Sequence, residues 1–247
     1  MIPKIIHYCW LSNDPIPGNL QKCMDSWKKY LPDYEFMLWN FDRFDKKSSL
    51  WVEQAFDNKK YAFAADYIRL FAIYNYGGIY LDMDVEVLKP FDKFLGLNTM
   101  LCWQNNEKGV EIAAWGAEKG SKWVKDCLDY YKNKPFIINN RQTTKPLPII
   151  VETRLRDCGY NLINVHSVEE ATKIKGDNNI PIFQSDFFSP MSYKDHKLIL
   201  TDNTVSIHRF AGSWIALSKY EIYERKFWKI LGLPHLNILN KIIWRFK

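Results

Sequence analysis

AFAADYIRLFAIYNYGGIYLDMDVE, residues 62–86, reads as one helix, one glycine hinge and one strand that ends in two carboxylates. Phe63, Tyr67, Leu70, Phe71 and Tyr74 recur at helical spacing and predict a helix over 62–76 with a single buried face. Asp66 and Arg69, three apart, then lie side by side on another face. Gly77 and Gly78 stand where a left-handed cap ends a helix. The run Ile79, Tyr80, Leu81 follows at once and predicts a strand over 79–85. In an extended chain Asp82 and Asp84, two apart, project together from its end.

Two carboxylates so placed repel each other unless a cation sits between or beside them. Hard divalent ions such as Mg²⁺ or Mn²⁺ take carboxylate oxygens and complete their shell with substrate phosphates. The strand end is therefore a candidate site for a metal bound to a diphosphate. An isolated D-x-D is more often a surface turn with two solvated acids. Context favours the metal here: a hydrophobic strand, a glycine hinge and an Asp/Arg pair on the preceding helix.

Working outward, Ile2 to Trp10 is a β-branched and aromatic run that predicts a buried first strand. Leu20, Cys23, Met24, Trp27 and Leu31 give a helix stripe that Pro32 stops, and Tyr34 to Trp39 is a second strand. Strand, helix, strand opens a Rossmann-like α/β sheet. Ligands in such sheets bind at the carboxyl ends of strands, which here means near Tyr8, Cys9 and Trp10. Met100 to Trp103 reads as a short strand, followed by Gln104, Asn105 and Asn106. Those amides suit acceptor sugar hydroxyls and ordinary turns alike, so Gln104 and Asn105 are acceptor candidates only. Ser121 to Tyr131 is an amphipathic helix, and Asn161 to Val165 and Pro181 to Phe188 are late strands or loops.

A chain of 247 residues fits one domain, with or without a lid. Aromatics form 16% of it, which leans toward a carbohydrate or nucleotide ligand. The net charge is +6, but Lys219 to Lys247 alone carry seven Lys or Arg against two Glu. That concentration argues against a nucleic-acid stripe and for a local basic surface. Five cysteines without a C-x-x-C pair read as reduced thiols of a cytosolic protein. No signal peptide and no run of eighteen apolar residues is visible. Lys226 to Lys247, KFWKILGLPHLNILNKIIWRFK, mixes apolar and basic residues. It reads either as a segment lying on the inner membrane surface or as helices capping the sheet. The expected division is a catalytic domain at 1–225 and this basic amphipathic segment at 226–247, with a cytoplasmic, peripheral location.

Asp66-x-x-Arg69 followed by Gly77-Gly78-x-Tyr80-x-Asp82-x-Asp84 resembles the signature of the family 32 glycosyltransferases, which carry a DXD sugar-binding region. Ile2-Pro3-Lys4-Ile5-Ile6-His7 with Trp10, and His208-x-x-x-x-Ser213-Trp214, are similar to the family's opening and closing motifs. The family includes fungal mannosyltransferases and bacterial capsule and exopolysaccharide enzymes, and is similar to the glucosylating domains of large bacterial toxins. The resemblance implies an A-type glycosyltransferase fold, a mixed central sheet flanked by helices. It implies a retaining, metal-dependent transfer from a nucleotide diphosphate sugar, expected to be a UDP-sugar, to a glycan or lipid-linked acceptor in polysaccharide biosynthesis. It further implies that Tyr8 and Trp10 carry the donor's base, with Tyr80 also in the donor site. Asp66 and Arg69 would grip donor sugar hydroxyls, and Ser213 and Trp214 would close over the diphosphate. Asp84 would bind the Mn²⁺ or Mg²⁺, with Asp82 on the ribose or on metal-bound water. His208, a residue type that ligates metals when neutral, would be the third protein ligand; the plain alternative is a core histidine. Thr144-Lys145-Pro146 departs from the Thr-Gly-Pro of many relatives, which leaves the acceptor side open.

Two other readings compete. A hydrophobic strand ending in Asp82-Met83-Asp84-Val85 also resembles the opening motif of haloacid-dehalogenase-type phosphohydrolases, although Gly176-Asp177 lacks the second acid those enzymes use. A non-catalytic carbohydrate-binding module would account for the aromatic content alone.

Overall fold

Residues 1–12, 14–105 and 109–212 are described in a computed structural model. In chain order they form β1 (Ile5–Cys9), α1 (Gly18–Tyr30), β2 (Glu35–Trp39), α2 (Leu50–Asp57), α3 (Tyr61–Tyr76), β3 (Gly78–Leu81), β4 (Val85–Val87), β5 (Thr99–Met100), β6 (Ala114–Ala117) and α4 (Lys122–Asp129). There follow β7 (Ile137–Ile138), β8 (Arg141–Gln142), α5 (Leu147–Asp157), β9 (Asn161–Val165), α6 (Val168–Lys173), β10 (Asn179–Phe183) and β11 (Ser206–His208). The main sheet has the order β2-β1-β3-β6-β5. β1 is parallel to β2 and β3, whereas β6 runs antiparallel to β3 and β5. The opening alternation predicts the Rossmann-like start, and the mixed, helix-flanked sheet is what the resemblance implies. Among the described residues no helix is long and apolar enough to cross a membrane. The expected boundary at 225/226 and the basic segment 226–247 lie outside the described residues.

Side chains alternate across the sheet, so its two faces feed two cores. Met37, Trp39, Tyr80 and Trp115 join the core that holds buried residues of α2, α3, α4 and α5. Ile6, Ile79, Leu81 and Ala114 join the one that holds Leu20 and Trp27 of α1 with Phe91, Phe94, Phe183, Phe187 and Phe188.

α3 departs from the expected single buried face. Phe63, Tyr67, Phe71 and Tyr74 are partly buried against one core, while Ala64, Ala65, Ile68, Ala72 and Ile73 are fully covered as well. Asp66 and Arg69 are accordingly buried, at 8% and 7% exposure. α3 packs between the sheet on one side and α2 and α4 on others, which covers every face near its middle.

The double glycine closes α3 onto the sheet. Gly77 and Gly78 have φ of +67° and +111°, the left-handed side that favours glycine. A Cβ on Gly78 would lie 2.6 Å from the Ile5 carbonyl oxygen. His7 fastens this turn from β1. The Trp39 indole Nε1–H donates to its Nδ1 at 3.0 Å, so Nε2 carries the proton and donates to the Gly77 carbonyl at 2.7 Å. Burial lowers the His7 pKa to about 4 and keeps the ring neutral.

The strand expected over 79–85 is two strands. β3 ends at Leu81, the Asp82 N–H still bonds the Ala113 carbonyl at 2.7 Å, and the Val85 N–H then turns back to the Asp82 carbonyl at 2.9 Å. Asp82-Met83-Asp84 is thus a tight turn, and the chain resumes as β4, antiparallel to β11. Trp27 of α1 holds β4 with an indole hydrogen bond to the Val85 carbonyl at 2.7 Å. α2, α5 and α6 have no counterpart in the sequence reading. The strand expected over Met100–Trp103 shrinks to β5, with isolated bridges at Cys102 and Trp103, and that over Pro181–Phe188 shifts to β10.

Candidate functional site

Burying Arg69 requires paired carboxylates, and the fold supplies them from α3 and from the turn after β3. Its Nη1 lies 3.2 Å from Asp82 Oδ2 and donates to the Ile112 carbonyl at 3.1 Å, and its Nη2 is 3.4 Å from Asp66 Oδ1. The guanidinium sits 4.6 Å above the Tyr80 ring, whose hydroxyl donates to Asp82 Oδ1 at 3.1 Å. Burial pushes the Asp66 carboxyl up to about 7, although Arg69 opposes the shift. Burial likewise raises Asp82, again against Arg69.

The second half of the site comes from the far end of the chain. Pairing of β11 with β4 sets His208 opposite Val85, one residue past Asp84. His208 Nε2 is 3.5 Å from Asp84 Oδ1, and its Nδ1 is 3.5 Å from Glu111 Oε2. Asp84 is further held by the Ala211 N–H on Oδ2 at 2.8 Å. Burial disfavours the imidazolium, but Glu111 and Asp84 flank it and push its pKa up to about 10. Asp84 is held below the usual carboxylate range, since His208 and the Ala211 N–H outweigh burial.

Four carboxylates, Asp66, Asp82, Asp84 and Glu111, therefore share one guanidinium and one imidazole. Ligand atoms of Asp82, Asp84 and His208 all lie within 4.8 Å of one another. Two carboxylate oxygens and an imidazole nitrogen at that spacing fit a divalent cation, which would relieve the excess of negative charge. Extension along a strand is not what brings Asp82 and Asp84 together, as had been expected; the turn does so.

The other expected residues land less centrally. Tyr8 packs edge-on against Trp27 at 5.5 Å, and the Trp10 indole donates to the Asp14 carbonyl at 2.9 Å, at the expected carboxyl end of β1. The Asn105 amide donates to the Pro190 carbonyl at 2.7 Å, so it braces the loop before Tyr193, and neither Gln104 nor Asn105 hydrogen-bonds the carboxylate cluster. Ser213, Trp214 and Asn106 lie outside the described residues. Glu111 was missed as a site residue. Its signal was a lone acid inside the apolar run Val110-Glu111-Ile112-Ala113.

Residues 17–101, which include Asp66, Arg69, Asp82 and Asp84, match the family model described as glycosyltransferase sugar-binding region containing DXD motif. That match runs from α1 to β5, about a third of the chain, and is a similarity to a sugar-binding region of that type. The chain is also similar to named proteins. The chain is 38% identical over 142 residues to inositol phosphoceramide mannosyltransferase 3 of Schizosaccharomyces pombe, covering 54% of this chain and 37% of that protein. It is 36% identical over 109 residues to a mannosyl phosphorylinositol ceramide synthase of Saccharomyces cerevisiae, covering 41% and 27%. It is 28% identical over 203 residues to an uncharacterized glycosyltransferase of Acanthamoeba polyphaga mimivirus, covering 80% and 76%. The chain thus spans well under half the length of the two yeast relatives. Among solved structures it is similar to the PaToxG glycosyltransferase, with 18% identity, 63% of this chain and 69% of that chain covered, and a TM-score of 0.47.

Proposed function

We propose that this protein transfers a sugar, with retention at the anomeric carbon, from a nucleotide diphosphate sugar to a lipid-linked or glycan acceptor. The observation that carries this reading is the convergence of Asp82, Asp84 and His208 beside the buried Asp66–Arg69 pair. These three residues would hold the cation, and their mixed oxygen and nitrogen set suits Mn²⁺ better than Mg²⁺, which favours oxygen ligands. When bound, the cation neutralises charge on the departing nucleotide diphosphate. Arg69 is locked by Asp82, Ile112 and the Tyr80 ring, so it presents a fixed donor. Asp66 has Arg69 at 3.4 Å as its ion-pair partner and keeps acceptor capacity for donor sugar hydroxyls.

The relatives named for inositol phosphoceramide support a lipid-linked acceptor. So does the surface between Pro190 and His208, where Tyr193, Ile199 and Leu200 are 49%, 54% and 54% exposed. The Tyr193 ring meets Phe210 at 5.4 Å, and Phe210 lies 3.9 Å from the His208 ring, so an acceptor resting on Tyr193 adjoins the candidate metal ligands. A cytoplasmic, membrane-peripheral location belongs to the same proposal. Participation in capsule or exopolysaccharide synthesis has no support among the named relatives.

A haloacid-dehalogenase-type reaction needs Asp82 as a free nucleophile, whereas Arg69 and Tyr80 both donate to its carboxylate. A sugar-binding module has no use for the cation ligands. Thermal shift with UDP, GDP and free sugars, with and without Mn²⁺, tests the reading. Stabilisation by a nucleoside diphosphate only when Mn²⁺ is present supports it; stabilisation by sugars alone contradicts it. Donors carrying mannose or glucose then separate the hexose classes by product analysis.

A further inference from the structure

We propose that Glu111 is the positioning residue that presents His208 to the cation. The inference rests on the metal reading above and extends it to a residue outside the 17–101 region. Glu111 is 1% exposed within an apolar run, and a carboxylate at that depth is costly unless it is paired. Its Oε1 accepts the Ala113 N–H at 2.8 Å, and its own N–H is anchored to the Cys102 carbonyl at 2.7 Å. Its charged partner is His208, whose Nδ1 lies 3.5 Å from Oε2. No Lys or Arg pairs with it among the described residues.

An imidazole can ligate a metal only through the nitrogen that has lost its proton, and the hydrogen bond at the other nitrogen decides which one that is. Glu111 can only accept when ionised, so it keeps the proton on Nδ1. Nε2, 3.5 Å from Asp84, is then the nitrogen that gives up its proton when a cation arrives on the side of the two aspartates. Without Glu111 nothing in this arrangement disfavours the opposite tautomer, which would point an N–H at the cation. Phe210 fixes the ring plane as well. Its ring centroid lies 3.9 Å from that of His208, tilted by 37°, at a backbone φ of +48°, a strained value for an aromatic residue. Glu111 is therefore buried because the imidazole has to be aimed, and a sheet-facing apolar residue would pack there at lower cost.

The test is Mn²⁺ titration of the full-length chain without nucleotide, read by EPR, on wild type, Glu111→Gln, Glu111→Leu and Asp84→Asn. Glu111→Gln keeps the shape and weakens the acceptor, and its expected Mn²⁺ dissociation constant is about 10-fold above wild type; Glu111→Leu should approach 100-fold. Pulsed EPR should lose the imidazole-nitrogen coupling to Mn²⁺ in Glu111→Leu and keep it in wild type, a change that a merely structural role would not produce. In transfer assays the KM for Mn²⁺ should rise by the same factors, with kcat at saturating Mn²⁺ changing little. A dissociation constant for Glu111→Gln within two-fold of wild type overturns the proposal, and this isosteric variant decides if the leucine variant misfolds. If Asp84→Asn loses Mn²⁺ while Glu111→Gln does not, the metal reading stands and the positioning role falls. Wild type that binds no Mn²⁺ overturns both.

Discussion

Arg69 Nη1 stands 3.2 Å from Asp82 Oδ2, and this one contact joins the helix before the double glycine to the acidic turn after it. The two residues are thirteen apart in sequence, separated by the hinge that reverses the chain. Because Arg69 also faces Asp66, the pair sets the position of Asp66 relative to Asp82 and Asp84. Its burial makes the arrangement rigid and electrostatically expensive, a combination common at sites whose geometry is prepared before the ligand arrives.

Asp66 should trade stability for function. Its folded pKa, about 7, lies above the unfolded value, so the folded state holds more protons across that interval and stability falls as pH rises from about 4 to 7. Asp66→Asn removes this loss. Its melting temperature should exceed that of wild type at pH 8 and differ little at pH 4, while donor KM rises. Equal pH profiles for the two proteins would show that Asp66 is not under this strain.

His7 works in the opposite direction. Its folded pKa of about 4 lies below the unfolded value near 6.5, so stability is lost as pH falls through that window. The full loss amounts to about 3 kcal/mol. Urea unfolding of His7→Phe between pH 4 and 7 should show a flatter acid limb than wild type, together with lower stability at pH 7 from the broken bonds to Gly77 and Trp39. An unchanged acid limb would contradict the neutral, hydrogen-bonded assignment.

Gly78→Ala should be severe, since the added Cβ meets the Ile5 carbonyl at 2.6 Å in a backbone with φ of +111°. Destabilisation of about 3 kcal/mol or more is expected, as strain and a backbone clash add. Denaturant titration reads it directly, and a change below 1 kcal/mol would show that β1 and β3 can separate without cost.

Cation binding should release a proton. The metal-free His208, with a pKa raised to about 10 beside Glu111 and Asp84, is protonated at neutral pH and must lose that proton to become a ligand. Calorimetry of Mn²⁺ binding at pH 7.5 in buffers of different ionisation enthalpy should give a release near one proton, and affinity should rise with pH. No buffer dependence would place the cation away from His208.

Much of this site was legible because its first half is local. Asp66, Arg69, the glycines and the two acids occupy one helix-hinge-strand unit, where periodicity and spacing carry the information. His208 reached the same site through a resemblance, since its approach depends on β4 pairing with β11, far along the chain. Glu111 was missed for the same reason: a lone acid in an apolar run names no partner, and its partner His208 is 97 residues away. The turn at Asp82 escaped notice because Met83 and Val85 are as apolar as a continuing strand. α5 was hidden by Pro146 and Pro148, which mark its start rather than a loop.

The central claim is that Asp82, Asp84 and His208 hold one divalent cation against a nucleoside diphosphate. Anomalous diffraction at the manganese edge, from crystals grown with Mn²⁺ and UDP or GDP, tests it most directly. The account expects a single strong peak within bonding distance of Asp84 and His208 and next to the diphosphate. A peak elsewhere, or a bound nucleotide with no manganese beside it, would contradict it.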